Sequence, residues 1–278
     1  LRGSDAANYA LAATSGTTTA SITAKTLTVS GITATNKVYD GSVSATVSTA
    51  GVTAAVLQAG GMVTNDVVTV SASGVFNNKN AAVGKTVTLS ATYGGADYGN
   101  YAFVDQATTT ADITPKSVTV TGLTWGDKVY DGLLSAGAVS TTGVTSTSTT
   151  VVVGGLIALD TVTVNATGNY ADKNVAYSGA SYATKTITVA GITLAGTDGA
   201  NYSVDLAGSQ QTYASAKITP KAITLTGAAN VTKTYDGNTA LPSGVTGFGS
   251  FTGLIANDVV ATSGQGVLAS ADAGSRAI

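Results

Sequence analysis

The chain has 278 residues, a formal net charge of −2 and only 10% charged residues. It holds no cysteine and no histidine, and all 15 of its acidic residues are aspartate. That excludes disulfides, thiolate and imidazole metal sites, cysteine nucleophiles and histidine-based acid–base chemistry, and the lack of a basic patch argues against a nucleic-acid partner.

The apolar residues are of a particular kind. They make up 44% of the chain, yet only 4 Phe, 1 Trp and 1 Met occur, so Ala and Val carry most of the load, with Ile among the rest and Thr abundant beside them. β-Branched side chains suit a pleated, half-buried surface. With 34 Gly and 3 Pro, the composition reads as many strands joined by glycine turns. Aspartate serves turns better than helices, and the missing glutamate points the same way. No run of 18 apolar residues exists, so no helical membrane span is expected. The opening "LRGSDAANYA" lacks the apolar stretch of a leader, and the segment reads as the interior of something longer.

In chain order, residues 1–24 run from "DAANY" (5–9) to "ITA" (22–24). A strand-like "KTLTVSGIT" starts at Lys25, followed by "KVYDG" (37–41), and then by the alternating stretches "VVTVSAS", "KTVTLSATY" and "TTTADIT" around "DYGNY" (97–101). "ITP" (113–115) closes the series. It begins again with "KSVTVTGLT" at Lys116, "KVYDG" (128–132), "DGANY" (198–202) and "ITP" (218–220), and once more with "KAITLTGAA" at Lys221 and "KTYDG" (233–237). Period-two alternation predicts about seven strands per repeat. Lys25, Lys116 and Lys221 lie 91 and 105 residues apart, too far for a solenoid and the size of an independent sandwich. The expectation is all-β: tandem Ig-like sandwiches arranged as an elongated rod. Residues 25–115 and 116–220 are complete repeats, 1–24 the closing part of a preceding one and 221–278 the opening part of a following one.

Two tyrosine motifs recur. Tyr9, Tyr101 and Tyr202 each follow an aspartate by four residues (Asp5, Asp97, Asp198). They are expected to act as tyrosine corners, with the hydroxyl bonding backbone a few residues upstream and two strands to follow. Tyr39-Asp40-Gly41, Tyr130-Asp131-Gly132 and Tyr235-Asp236-Gly237 are expected to be turns at the pole where one repeat hands over to the next. The lysines ahead of them (Lys37, Lys128, Lys233) can pair with an acid. Pro115 and Pro220 mark short, semi-rigid linkers.

Other chemistry is thinly supported. Two aspartates with neither histidine nor glutamate give no recurring catalytic arrangement, and no enzyme is expected. Calcium is the serious alternative for Asp40, Asp97, Asp131 and Asp198, with Asp105 and Asp205 behind them, although no dense Asp-x-Asp-x-Asp run occurs. No other cofactor is indicated. The Lys79/Asn80 and Lys173/Asn174 pairs raise isopeptide cross-linking, but neighbours on a strand face opposite ways, and a polar turn is the simpler reading. Trp125 can stack on sugar or pack a loop, the latter being favoured. The alternating Thr strands resemble ice-binding ladders but fit an ordinary solvated sandwich face.

Taken together, "ITPKSVTVTGLTWGDKVYDG" and "GTDGANYSV…KITP" resemble the YDG-type repeat of large bacterial secreted and surface proteins, found beside filamentous-haemagglutinin-like and bacterial Ig-like modules. The resemblance covers essentially the whole chain, and the family offers no catalytic residues to transfer. It implies an exported stalk or fibre segment of an adhesin, displayed outside the cell, and a cysteine-free, Thr/Ser/Gly-rich, weakly acidic β protein fits that location. The expected partners are neighbouring repeats. Like chains in a filament joined by edge or donated strands are an alternative, as are surface glycans or a receptor.

Overall fold

The computed structural model describes residues 1–13, 15–226, 232–241, 249–261 and 267–275. It divides into two compact units, Leu1–Lys116 and Ser117–Ile278. Both are built almost wholly of strands.

The first unit holds β1 (Lys25–Thr28), β2 (Thr33–Ala34), β3 (Lys37–Val38), β4 (Ser44–Ala45), β5 (Val47–Ser48), a short helix α1 (Ala54–Ala59), β6 (Thr69–Phe76), β7 (Ala82–Gly94), β8 (Tyr101–Val104) and β9 (Thr108–Thr114). Five strands form one sheet in the order β3-β9-β7-β6-β4. β1 pairs with β8 and β2 with β5 as separate two-stranded ladders. Period-two patterning sets the faces: β6 and β7 alternate exposed with half-buried or buried positions. α1 is about one and a half turns long, capped by Thr53, whose hydroxyl accepts the Val56 N–H at 3.3 Å; Leu57 points inward from it. Leu27, Val29, Ile32, Leu57, Met62 and Tyr101 form a core cluster. Full burial of such a side chain contributes about 1.5–3 kcal/mol, so this cluster is a main source of cohesion.

The second unit repeats the plan with β10 (Lys116–Thr121), β11 (Lys128–Val129), β12 (Ser135–Val144), β13 (Val152–Gly154), β14 (Val162–Tyr170), β15 (Tyr177–Ser178), β16 (Ser181–Tyr182), β17 (Lys185–Ala195), β18 (Tyr202–Val204), β19 (Thr212–Ala216) and β20 (Ile218–Thr219). Its main sheet runs β12-β14-β17-β19, and a second sheet runs β13-β10-β18. β21 (Thr224–Thr226) and β22 (Ser250–Thr252) form an antiparallel pair in the third repeat. The last three residues of its "KAITLTGAA" stretch lie outside the described residues.

The strands after the second tyrosine depart from an Ig-like order. In that order the last two strands would be antiparallel neighbours. Here β8 lies parallel to β1, with Lys25 opposite Tyr101 and Leu27 opposite Phe103, whereas β9 pairs with β7 and β3. A glutamine ties the resulting gap. The Gln106 side chain accepts the Ile32 N–H and donates to the Ile32 carbonyl, at 3.0 and 2.8 Å. Gln210 does the same for Leu123, at 2.8 Å both ways. An amide side chain thus stands in for one rung of a ladder where the strand has turned away.

Candidate functional site

The Tyr-Asp-Gly loop is built the same way three times. Lys37 on β3 directs its ammonium to Asp40 Oδ1 at 2.8 Å and to the carbonyls of Ser42 and Ser44 at 2.9 and 3.0 Å. Lys128 reaches Asp131 Oδ1 and the Leu133 and Ser135 carbonyls, all at 2.8 Å. Lys233 reaches Asp236 at 2.6 Å and the Asn238 and Ala240 carbonyls at 2.8 Å. Each aspartate also accepts the N–H two residues on, from Ser42, Leu133 or Asn238. The glycines take φ of 79°, 78° and 71°, the left-handed region that only glycine enters freely.

The motif is therefore an Asx turn around a lysine whose three ammonium protons all find oxygen. Lys37 and Lys128 also sit 5.5 and 5.4 Å from the rings of Phe76 and Tyr170. Burial opposes ionisation of Asp40, but the bonds from Lys37 and Ser42 outweigh it and hold its carboxyl below the usual range. Asp131 and Asp236 are depressed chiefly by Lys128 and Lys233.

The loop's position is fixed by β3, which runs parallel to β9 with Val38 opposite Thr114. The Tyr39 N–H donates to the Thr114 carbonyl at 2.9 Å, next to Pro115. Tyr130 N–H donates to the Thr219 carbonyl at 2.8 Å, next to Pro220. Tyr39 is fully buried and Tyr130 half-buried, while Tyr235 is exposed.

The second tyrosine makes a different bond from the expected corner. The Tyr101 hydroxyl accepts the Val63 N–H at 2.9 Å and donates to Asp66 at 2.5 Å. Tyr202 accepts from Ile157 at 3.0 Å and donates to Asp160 at 2.6 Å. The partner loop lies 38 and 45 residues upstream, not a few residues, because β8 and β18 run back alongside the first strand of their own repeat. Among the described residues Tyr9 makes no such bond, and it is 72% exposed.

The aspartates of this motif cap the same loop. Asp97 accepts the Val67 N–H at 2.8 Å and Asp198 the Thr161 N–H at 3.0 Å. Each also starts a one-turn 3-10 helix, Tyr98–Asn100 and Gly199–Asn201, that delivers the tyrosine. Asp66 holds the Tyr101 hydroxyl proton most strongly, and burial adds to it, so its pKa is raised.

This reveals a landmark absent from the sequence reading: "GGMVTND" (60–66), "GGLIALD" (154–160) and "TGLIAND" (252–258). Asn65, Leu159 and Asn257 all take positive φ, at 76°, 73° and 70°. They turn the following aspartate toward the place of the tyrosine.

The YDG domain model matches residues 23–111, 114–213 and 219–278. The chain belongs to the YDG domain family. No curated protein and no solved structure matches it.

Within the second unit the YDG turn meets the following repeat. A Cβ built on Gly132 would stand 2.8 Å from Ile255 Cγ2. Lys173 lies 3.6 Å from Asp258 and 6.0 Å from the centroid of the Tyr130 ring. A cavity of about 240 Å³ is lined there by Tyr130, Val175, Pro220, Ile223 and Leu254, among others. Lys79 is placed over Tyr39 in the first YDG repeat as Lys173 is over Tyr130, at 5.8 Å. These lysines therefore serve the YDG tyrosine. Asn80 and Asn174 instead donate their N–H groups to Asn78 and Asp172 in Asx turns.

The aspartates weighed for calcium are engaged elsewhere. Asp40 and Asp131 bind lysine, and Asp97 and Asp198 cap a loop. Asp105 accepts from the Tyr93 hydroxyl, and Asp205 accepts the Ala207 and Gly208 N–H groups. Among the described residues no three acidic side chains converge. Trp125 is buried, donates its indole N–H to the Gly137 carbonyl at 3.3 Å and packs where Gly168 leaves room.

Proposed function

We propose that these YDG units form a structural segment of a bacterial extracellular stalk or fibre, non-catalytic and exported, which projects or assembles through tandem semi-rigid β-sandwiches. One observation carries the reading. The polar residues that recur from repeat to repeat bond to their own repeat: the lysine to its turn, the tyrosine and aspartate to their loop. Such economy suits a spacer, whose repeats need to be stable and joined at a fixed geometry, with few side chains left for chemistry. The link to filamentous-haemagglutinin-like adhesins rests on the resemblance of the motif order. Electron microscopy of native material is the test: isolated beaded rods support a stalk, and compact particles refute it.

A glycan- or receptor-binding role is favoured by one feature of the second unit. The β15–β16 hairpin carries Tyr177 and Tyr182, both exposed, with ring centroids 5.5 Å apart. Aromatic faces of this kind can stack on sugars. A glycan panel read with wild type and with Tyr177→Ala tests it, and binding that survives the substitution removes the hairpin from consideration.

A further inference from the structure

Two equivalent loops carry different side chains at one place. In the first unit the loop between β6 and β7 holds Asn78, whose Oδ1 accepts the Asn80 N–H at 3.0 Å. In the second unit the loop after β14 holds Asp172, whose Oδ1 accepts the Asn174 N–H at 2.8 Å. A lysine on the long strand that follows reaches each of them. Lys85 on β7 donates to Asn78 Oδ1 at 2.7 Å, and Lys185 on β17 meets Asp172 Oδ1 at 2.5 Å. Both lysines stand opposite a buried alanine of the next strand, Ala111 or Ala216.

Lys185 thus has a counterion where Lys85 has an amide. The Asp172 carboxyl is held below its usual range, chiefly by Lys185, as an ion pair requires. Lys85 is 7% exposed, and among the described residues its ammonium bonds the neutral Asn78 side chain and no carboxylate. Burying an ammonium without a paired charge is costly, and the group gives up its proton more readily instead. Burial accordingly pushes the Lys85 pKa down. The outcome is a sheltered amine held against a side-chain carbonyl, a nucleophile beside an electrophile.

We propose that Lys85 and Asn78 condense into an isopeptide bond, a covalent modification of the first YDG repeat. The unprotonated Lys85 Nζ attacks Asn78 Cγ. The Nζ–Cγ bond forms, the Cγ–Nδ2 bond breaks, one proton passes from Nζ to Nδ2, and ammonia leaves. No other reactant is consumed. The fold aids the step in two ways. It holds amine and amide in hydrogen-bond contact, which turns an encounter in solution into a unimolecular event. The Asn80 N–H already sits on the oxygen that gains charge in the tetrahedral state. Asn78 is itself exposed, so water reaches the leaving nitrogen.

The product suits its position. It replaces a buried ammonium that has no counterion with a neutral amide. It also ties the loop after β6 to β7 beside the turn of their hairpin, and β7 is the middle strand of the five-stranded sheet. The second repeat does not follow the same course, because an ionised carboxylate is a poor electrophile and Lys185 keeps Asp172 ionised. Of these two repeats the modification belongs to the first alone. It goes beyond the stalk reading and does not depend on it.

The test is the intact mass of the purified 278-residue chain, followed over days at neutral pH. The expected change is a loss of about 17 Da, one ammonia. Trypsin then fails to cut after Lys85, and residues 38–79 and 80–116 appear as one branched peptide. The peptides that carry Asp172 and Lys185 stay unlinked and serve as the control within the same chain. Lys85→Arg and Asn78→Asp each abolish the loss. The second variant also recreates the Asp172–Lys185 pair, so its fold is expected to hold. A mass that stays at its theoretical value overturns the proposal. A gain of about 1 Da at Asn78, which is deamidation, also overturns it. So does a loss of about 17 Da that survives Lys85→Arg, which is a succinimide closed by the Lys79 backbone nitrogen.

Discussion

Replacing Tyr202 by Phe removes one oxygen and keeps the ring. That oxygen accepts the Ile157 N–H at 3.0 Å and donates to Asp160 at 2.6 Å, and Asp160 is 1% exposed. A neutral hydrogen bond contributes about 1 kcal/mol and one to a charged group about 1.5–3 kcal/mol. The expected loss is therefore about 3 kcal/mol, a large share of the roughly 5–15 kcal/mol that holds a domain together. For a unit of the length of Ser117–Ile278 that corresponds to a fall in melting temperature of roughly 6–12 °C. Trp125 is the single tryptophan, buried in the second unit with its ring centroid 6.0 Å from that of Tyr213, so its fluorescence reports that unit. Tyr101→Phe is the internal control: it should destabilise the first unit and leave the Trp125 transition in place. A change below about 0.5 kcal/mol for Tyr202→Phe, the range of ordinary surface substitutions, would refute the tyrosine–aspartate joint as a structural element.

Three further outcomes follow from the geometry. Lys128→Met deprives Asp131 and two carbonyls of their shared donor; because Asp131 is half exposed to water, the loss should be about 1–2 kcal/mol in urea unfolding. Gly132→Ala forces a side chain into positive φ against Ile255 and should cost about 1–2 kcal/mol from the backbone alone. Hydrogen exchange at residues 253–258 should rise with it, and unchanged protection there would separate the turn from the next repeat. Asp40, Asp131 and Asp236 have folded-state pKa values below their unfolded ones. Their contribution is present above the unfolded value, about 3.9, and is lost as pH falls through the folded values. Thermal unfolding should be insensitive to these groups from pH 5 to 7, and their contribution should fall away below about pH 4.

The all-β class and the tandem plan were legible because alternation and period are properties of many residues at once. The turn at Tyr39-Asp40-Gly41 was also legible, since Asp-Gly has a local logic. The role of Lys37 was not: its two carbonyl acceptors at Ser42 and Ser44 carry no side-chain signature. The hydroxyl partners of Tyr101 and Tyr202 were not legible: they lie 38 and 45 residues upstream, because parallel pairing of β8 with β1 joins segments far apart in the chain, and pairing direction leaves no mark on alternation. The loops ending in Asp66, Asp160 and Asp258 vary at most positions. What they share is a glycine, an apolar pair and an aspartate, and a self-comparison keyed to those would have found them.

The central claim is the proposal that the recurring motifs serve a stalk of tandem YDG units. Small-angle scattering of the 278-residue chain at low concentration tests it most directly. A compact chain of this length has a radius of gyration of about 19 Å. The proposed stalk predicts a clearly larger value. A value near 19 Å would contradict it.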